Sequence, residues 1–132
     1  MAKLARALGL ATAVFGVAVA IRPETLARES GLTRRGRDVP PGLHAMVAAL
    51  GIRDAVSGLA MAAAPRGRAL RLAIALRVAA DLGDAVILGA LLPTPEARRR
   101  NAAAALTWAA VCALSATGAG RRKPPPPPPP TI

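Results

Sequence analysis

Long apolar stretches dominate the chain, at residues 4–21, 43–64, 69–92 and 102–119. Each stretch is about as long as the 17 to 25 residues that an α-helix needs to cross the hydrocarbon core of a bilayer. None shows the two-residue alternation of a membrane β-strand. The pattern therefore predicts an all-α fold, a transmembrane bundle of four helices with up-down topology, in one domain at residues 1–120.

The segments between the apolar stretches are polar and contain helix-breaking residues. Residues 22–42 are rich in arginine, and we expect a loop there with a short surface helix at about residues 24–30. Only about four residues, around Pro65-Arg66-Gly67, separate the second and third stretches, so these two helices should form a tight antiparallel hairpin. Small residues inside the stretches should let the helices pack closely. Among these are Gly9, Gly16, Gly51, Gly58, Gly83 and Gly89.

Both ends of the chain allow further predictions. Lys3 and Arg6 precede the first stretch and Ala18-Val19-Ala20 resembles a cleavage site, so a signal peptide is an alternative. We favour a retained span because three more apolar stretches follow. Residues 121–132 hold a basic cluster and seven prolines, Pro124 to Pro130, which predict a disordered polyproline II tail. Such a tail could bind a proline-recognising partner.

Charged residues occur within the second and third predicted spans, at Arg53, Asp54, Arg77, Asp81 and Asp84. A charge at a helix centre opposes insertion by about 2.5 to 3.5 kcal/mol, so the pair in the second span opposes it by roughly 5 to 7 kcal/mol. The eight Leu, Ile, Val and Met residues of that span favour insertion by only about 2.4 to 4.8 kcal/mol. The second span therefore needs partners inside the membrane.

The hairpin can supply these partners. The three charges of the third span fall within about 60° on one helix face, which should face the second span. We predict that Arg53 meets Asp81 or Asp84 and that Asp54 meets Arg77. One interpretation is that this intramembrane network only locks the two helices together. The other is that an unpaired carboxylate, Asp84, lines a wet cavity and binds or relays a cation or proton.

Composition narrows the function classes. The mean hydropathy is +0.38 with a net charge of +11, and the basic residues cluster beside apolar stretches, where anionic lipid headgroups explain them. Nucleic-acid binding is disfavoured because Phe15 and Trp108 are the only aromatic residues. The single cysteine, Cys112, excludes an intrachain disulfide. His44 and Cys112 have no partners at a suitable spacing, so we expect no metal, cofactor or catalytic residues and no enzyme.

Two motifs resemble a known family. Residues 51–59 read G-I-R-D-A-V-S-G-L, and R-x-x-x-D-x-x-D follows at residues 77–84. These motifs, with residues 29–32, are similar to those of small four-helix bacterial membrane proteins that carry a domain of unknown function. The similarity covers about residues 5–118. It implies an integral membrane protein and carries no activity with it.

The sequence thus predicts a multi-pass protein of the bacterial inner (plasma) membrane that serves as a structural or accessory component. A small cation- or proton-coupled carrier is the alternative, and it would need to form a homo-oligomer because four short helices enclose little space. Eight basic residues fall on each predicted side of the bilayer, so charge does not set the orientation. We expect cytoplasmic termini because the basic tail is then not translocated. A soluble alanine-rich bundle remains the alternative to membrane insertion.

Overall fold

The computed structural model describes residues 2–34 and 36–118, and the predicted proline tail lies outside them. Within this part of the chain all regular structure is helical, which confirms the all-α prediction. The helices are α1 (Ala2–Ile21), α2 (Pro23–Glu29), α3 (Pro41–Ala63), α4 (Arg68–Leu91) and α5 (Pro95–Ser115), followed by a 3₁₀ turn at Ala116–Gly118.

Local sequence explains where the long helices begin. Pro41 stands in the first turn of α3, where its missing N–H costs nothing. α4 follows Gly67, which has a positive φ of 107° that favours glycine. α5 begins at Pro95, well before the predicted fourth stretch at residue 102, because the Thr94 side chain caps the helix by accepting a hydrogen bond from the backbone N–H of Ala97 at 3.2 Å.

Glycines bring α1 and α3 into backbone contact. The two helices run antiparallel, so that Gly9 lies against Gly58 and Gly16 lies against Gly51. A Cβ atom placed on Gly16 would lie 2.3 Å from the backbone nitrogen of Ala55 and 2.5 Å from the carbonyl oxygen of Gly51. Both helices carry these glycines seven residues apart, which returns them to one face. At these four positions of the interface only glycine fits.

The remaining contacts divide the bundle into two closely packed pairs. α4 packs along α5, and α3 approaches α4 at far fewer points than it approaches α1. One apolar cluster, centred on Met61, Leu70 and Cys112, closes the end that holds the start of α1. A second cluster, around Val19, Ala27 and Val47, closes the other end beneath α2. The mid-length region between α3 and α4 therefore contains little apolar packing.

The outer surface is apolar along each long helix. Two helices, α1 and α3, are long and apolar enough to cross a membrane. Only 33% of the apolar segment of α1 and 22% of that of α3 are buried inside the protein, whereas a core helix of a soluble protein is mostly buried. Large hydrophobic side chains exposed on α4 and α5 include Leu72, Leu76, Val86, Leu91, Leu106 and Leu114.

Charges explain why α4 and α5 differ from the other two helices. The most apolar part of α4 holds Arg77, Asp81 and Asp84, and any stretch of α5 long enough to span a bilayer includes residues 98–100, which are three arginines. Length and composition alone therefore single out two of the predicted four spans.

Candidate functional site

Five charged side chains meet between α3 and α4 at the middle of both helices. α3 supplies Arg53 and Asp54, and α4 supplies Arg77, Asp81 and Asp84. Positions 77, 81 and 84 share one face of α4 because steps of four and three residues nearly complete a helical turn. The short connection from Ala64 to Gly67 sets α4 antiparallel to α3 and brings the two sets to the same level.

Arg77 forms the buried half of this network. Its side chain pairs with Asp81 one turn along α4, through Nε to Oδ2 at 3.0 Å and through a second bond from Nη2 to Oδ1. Its Nη1 reaches across to α3 and donates to Asp54 Oδ1 at 2.7 Å and to Ser57 Oγ at 3.2 Å. Arg77 and Asp81 are only 2% and 4% exposed, so each charge depends on its partners for solvation.

Arg53 forms the more exposed half. It binds Asp84 with two hydrogen bonds, from Nη1 to Oδ1 at 2.9 Å and from Nη2 to Oδ2 at 2.6 Å. It also donates to its neighbour Asp54 Oδ1 from Nε at 3.2 Å and from Nη2 at 2.9 Å. Arg53 thus meets Asp84, one of the two partners predicted for it, and holds both of its oxygens. Asp84 is therefore not the unpaired carboxylate of the alternative interpretation.

Asp54 links the two halves. Its Oδ1 accepts hydrogen bonds from both arginines. Its Oδ2 accepts none from residues 2–34 and 36–118, and it is not fully buried. The network holds two guanidinium groups and three carboxylates, which leaves a net charge of −1 when all are ionised. Asp54 Oδ2 is therefore the one carboxylate oxygen of the network that accepts no hydrogen bond from the described residues.

A cavity of about 690 Å³ begins at this network and extends toward α2. All five helices contribute to its walls. The charged side chains form one boundary, and apolar side chains line most of the remainder, among them Phe15, Met46, Leu50, Ile87, Leu88 and Leu91. The site therefore combines a charged end with an apolar body.

A hydrogen bond between α1 and α5 fixes one wall of the cavity. The indole Nε1 of Trp108 donates to Thr12 Oγ1 at 3.0 Å, and that hydroxyl donates to the carbonyl oxygen of Leu8 at 2.9 Å. Both side chains line the cavity. The sequence carried a signal for this contact, since Thr12 is the single hydroxyl residue of α1.

The far end of the cavity is held by contacts between α5 and the segment after α2. Asn101 Nδ2 donates to the carbonyl oxygen of Ser30 at 2.9 Å and to that of Ala97 at 2.7 Å. Arg100 Nη2 donates to the carbonyl oxygen of Glu29 at 2.5 Å. These side chains place α2 over the end of the bundle. Sequence reasoning missed them because they join positions about 71 residues apart.

Other reactive residues lie apart from the network. His44 Nδ1 lies 4.0 Å from Glu24 Oε2, with both side chains partly exposed. Cys112 is buried, and its carbonyl oxygen accepts a hydrogen bond from Ser115 Oγ at 2.6 Å. In the part of the chain that the structure covers, no three His, Cys, Asp or Glu residues are placed to hold a metal ion.

Comparison with known proteins identifies one family. The profile of the family described as a domain of unknown function, DUF4267, matches residues 9–121, which include both motifs and thus the whole charged network. No curated protein and no solved structure matches the chain. Since the profile spans most of the sequence, the chain belongs to the DUF4267 family of domains of unknown function.

Proposed function

We propose that this protein is an integral membrane protein in which α1, α3, α4 and α5 all cross the bilayer around the Arg–Asp network. The distribution of side chains carries the proposal. Leu91, Val86 and Val14 are 76%, 71% and 70% exposed, whereas Arg77 and Asp81 are almost fully buried. In water the exposed apolar side chains would be unfavourable, since burying apolar area is worth about 25 cal/mol per Å². In a bilayer these side chains contact lipid, which removes that cost.

Two features support α4 and α5 as spans despite their charges. Arg77 and both aspartates of α4 form ion pairs within the bundle, and charges of this kind are tolerated inside membranes when they face the protein interior. The arginines of α5 stand in its first turns, at residues 98–100, where long side chains can reach the headgroups. The span of α5 then includes residues 98–100, with their charged groups at the headgroups and the apolar residues that follow in the core.

The protein lies in the bacterial inner membrane with both termini in the cytoplasm. Its Arg–Asp network has a structural or accessory role there. Close packing joins α1 to α3 and α4 to α5, whereas α3 and α4 meet mainly through charged side chains. The ion pairs would hold the two helix pairs in register. This assignment explains why charges that oppose insertion occur at matching depths on two neighbouring helices.

Fractionation and cysteine labelling test the membrane assignment. Full-length protein should stay in the membrane pellet after washing at high pH and should be released by detergent. Single cysteines in a Cys112→Ala background at positions 38 and 94 should react with a membrane-impermeant reagent from one side, and a cysteine at position 66 from the other. Recovery of the protein in a high-speed supernatant without detergent would overturn the assignment.

A double-mutant cycle tests the structural role. Arg53→Gln leaves Asp84 without its cation, and Asp84→Asn leaves Arg53 with Asp54 as its one remaining carboxylate partner. The double variant should therefore lose less stability than the two losses added together. We expect a coupling of about 0.5 to 3 kcal/mol in the free energy of unfolding. Arg53→Gln combined with Glu96→Gln is the control, because Glu96 is exposed at the start of α5. Additive losses in both cycles would contradict the role.

A small cation- or proton-coupled carrier is the second candidate. It is favoured by the network's excess of one carboxylate and by the position of Asp54 and Asp84 on the wall of the cavity. In reconstituted vesicles a carrier should pass protons or cations faster than protein-free vesicles do. Asp84→Glu should keep that flux and Asp84→Asn should lose it. A wild-type leak equal to that of empty vesicles would remove this candidate.

A further inference from the structure

The cavity between the helices has a composition that points to a ligand. We infer that it binds an amphiphile that carries one positive charge, a single ammonium group on an apolar body, with the charge at the Arg–Asp network. The inference rests on the proposed placement in a bilayer and goes beyond the structural role. It assigns to the cavity an occupant that neither candidate function names.

The hydrogen-bond inventory of the network favours a cation over an anion. Arg53 donates four hydrogen bonds and Arg77 donates four, out of about five N–H groups on each guanidinium. Little donor capacity remains for a carboxylate or phosphate. Asp54 Oδ2 accepts no bond from the described residues, and the network already has an excess negative charge. An ammonium group would supply the donor and the charge together.

The aromatic residues support the same ligand. Phe15 and Trp108 are the sole aromatic side chains of the 132-residue chain, and both line this cavity from different helices. The hydrogen bond to Thr12 fixes the indole of Trp108 in place. Aromatic faces beside a carboxylate are the combination that recognises ammonium groups in proteins.

Size and shape argue against a bare metal ion or a proton as the whole occupant. The volume of about 690 Å³ falls within the roughly 300 to 1,000 Å³ that small-molecule pockets occupy. An inorganic ion at the network would leave the apolar walls formed by Leu50, Ile87 and Leu88 without a partner. A ligand with an apolar body contacts them.

The opening of the cavity is itself apolar. Four lining residues from α1, α3 and α4 keep more than half of their surface exposed: Phe15 at 52%, Met46 at 51%, Ile87 at 55% and Leu91 at 76%. In a bilayer, an opening lined by such side chains faces the acyl chains. The ligand therefore enters sideways from the membrane, where amphiphiles accumulate.

Quenching of Trp108 fluorescence by brominated probes tests this inference, since Trp108 is the chain's one tryptophan. The full chain is reconstituted in phosphatidylcholine vesicles and titrated with a decylamine that carries bromine at its chain end. The matching bromodecanol and bromodecanoate serve as neutral and anionic probes of the same length. We expect half-maximal quenching at about tenfold less membrane-bound amine than alcohol, with the acid weakest.

Variants separate binding in the cavity from partition into lipid. Ala105 lines the cavity and the neighbouring Ala103 does not, so Ala105→Phe should abolish the preference for the amine while Ala103→Phe keeps it. Asp54→Asn should bring amine and alcohol to equal potency. Because Asp54→Asn also removes a network partner, the alanine pair stands as the independent test.

A further titration in the same quenching experiment identifies the source of the ligand. A two-chain cationic lipid with brominated acyl chains replaces the free amine. Stronger quenching by that lipid assigns the site to a membrane lipid, and stronger quenching by the amine assigns it to a single-chain amphiphile. Equal potency of amine, alcohol and acid in the wild type overturns the inference. If the protein still sediments with the vesicles in that case, the membrane assignment survives; if it does not, the proposed function fails as well.

Discussion

Replacement of Gly16 by alanine should loosen the α1–α3 pair. The added Cβ would lie 2.3 Å from the Ala55 nitrogen and 2.5 Å from the Gly51 carbonyl oxygen. Ordinary contacts of a Cβ begin near 3.4 Å, so the two helices must separate locally by about 1 Å. Both obstacles are backbone atoms, which cannot rotate away as a side chain would.

The magnitude follows from two opposing effects. Overpacking of a tight interface costs about 1 to 3 kcal/mol, and the upper half of that range applies because backbone atoms must move. Alanine recovers roughly 0.5 to 1 kcal/mol because glycine is a poor helix former. The net loss for Gly16→Ala is therefore about 1 to 2.5 kcal/mol in the free energy of unfolding.

Gly83→Ala provides the matched control. Gly83 lies within α4, and a Cβ there meets nothing within 4 Å. The same chemical change should therefore stabilise the protein by up to about 1 kcal/mol. Unfolding of the purified protein, by titration of a mild detergent solution with a denaturing detergent, would be followed by circular dichroism. Equal shifts for the two variants would refute the glycine-contact reasoning.

Two further substitutions probe the interior. Arg77→Met should lower the free energy of unfolding by about 3 to 5 kcal/mol in the same assay, because it leaves Asp54 and Asp81 without their shared cation. A loss of stability smaller than that for a single exposed ion pair would contradict the buried network. Thr12→Val should lower stability by about 0.5 to 1.5 kcal/mol and alter the emission of Trp108 by removing its hydrogen-bond acceptor, whereas Thr12→Ser should leave the emission unchanged.

Local features of the fold could be predicted from the sequence. Helix type follows from long apolar stretches bounded by prolines, and α3 and α4 begin and end within two residues of the predicted stretches at 43–64 and 69–92. The charge contacts could also be predicted from the sequence. The short connection between α3 and α4 sets Arg77 level with Asp54, and the four-residue spacing places Arg77 and Asp81 on one face of α4. The sequence did not decide between Asp81 and Asp84 as the partner of Arg53, because that depends on how far the Arg53 side chain reaches.

Long-range features were not accessible in the same way. The pairing of α1 with α3 depends on two glycines in each helix with the same seven-residue spacing, a match that has meaning only once both helices are known to run antiparallel. The cavity and the contact of Asn101 with Ser30 join distant segments. The start of α5 was missed although its signal was local, a threonine cap followed by Pro95.

The division of the bundle into two helix pairs has a mechanical consequence. The α1–α3 pair is rigid because its backbone contacts tolerate little change of distance. Between the pairs, guanidinium groups on flexible stems can follow a displacement and keep their carboxylate partners. A small shift of one pair against the other along this polar seam therefore keeps the ion pairs. Its range is limited by the Trp108–Thr12 hydrogen bond and by the apolar cluster around Met61, Leu70 and Cys112, which also join the two pairs.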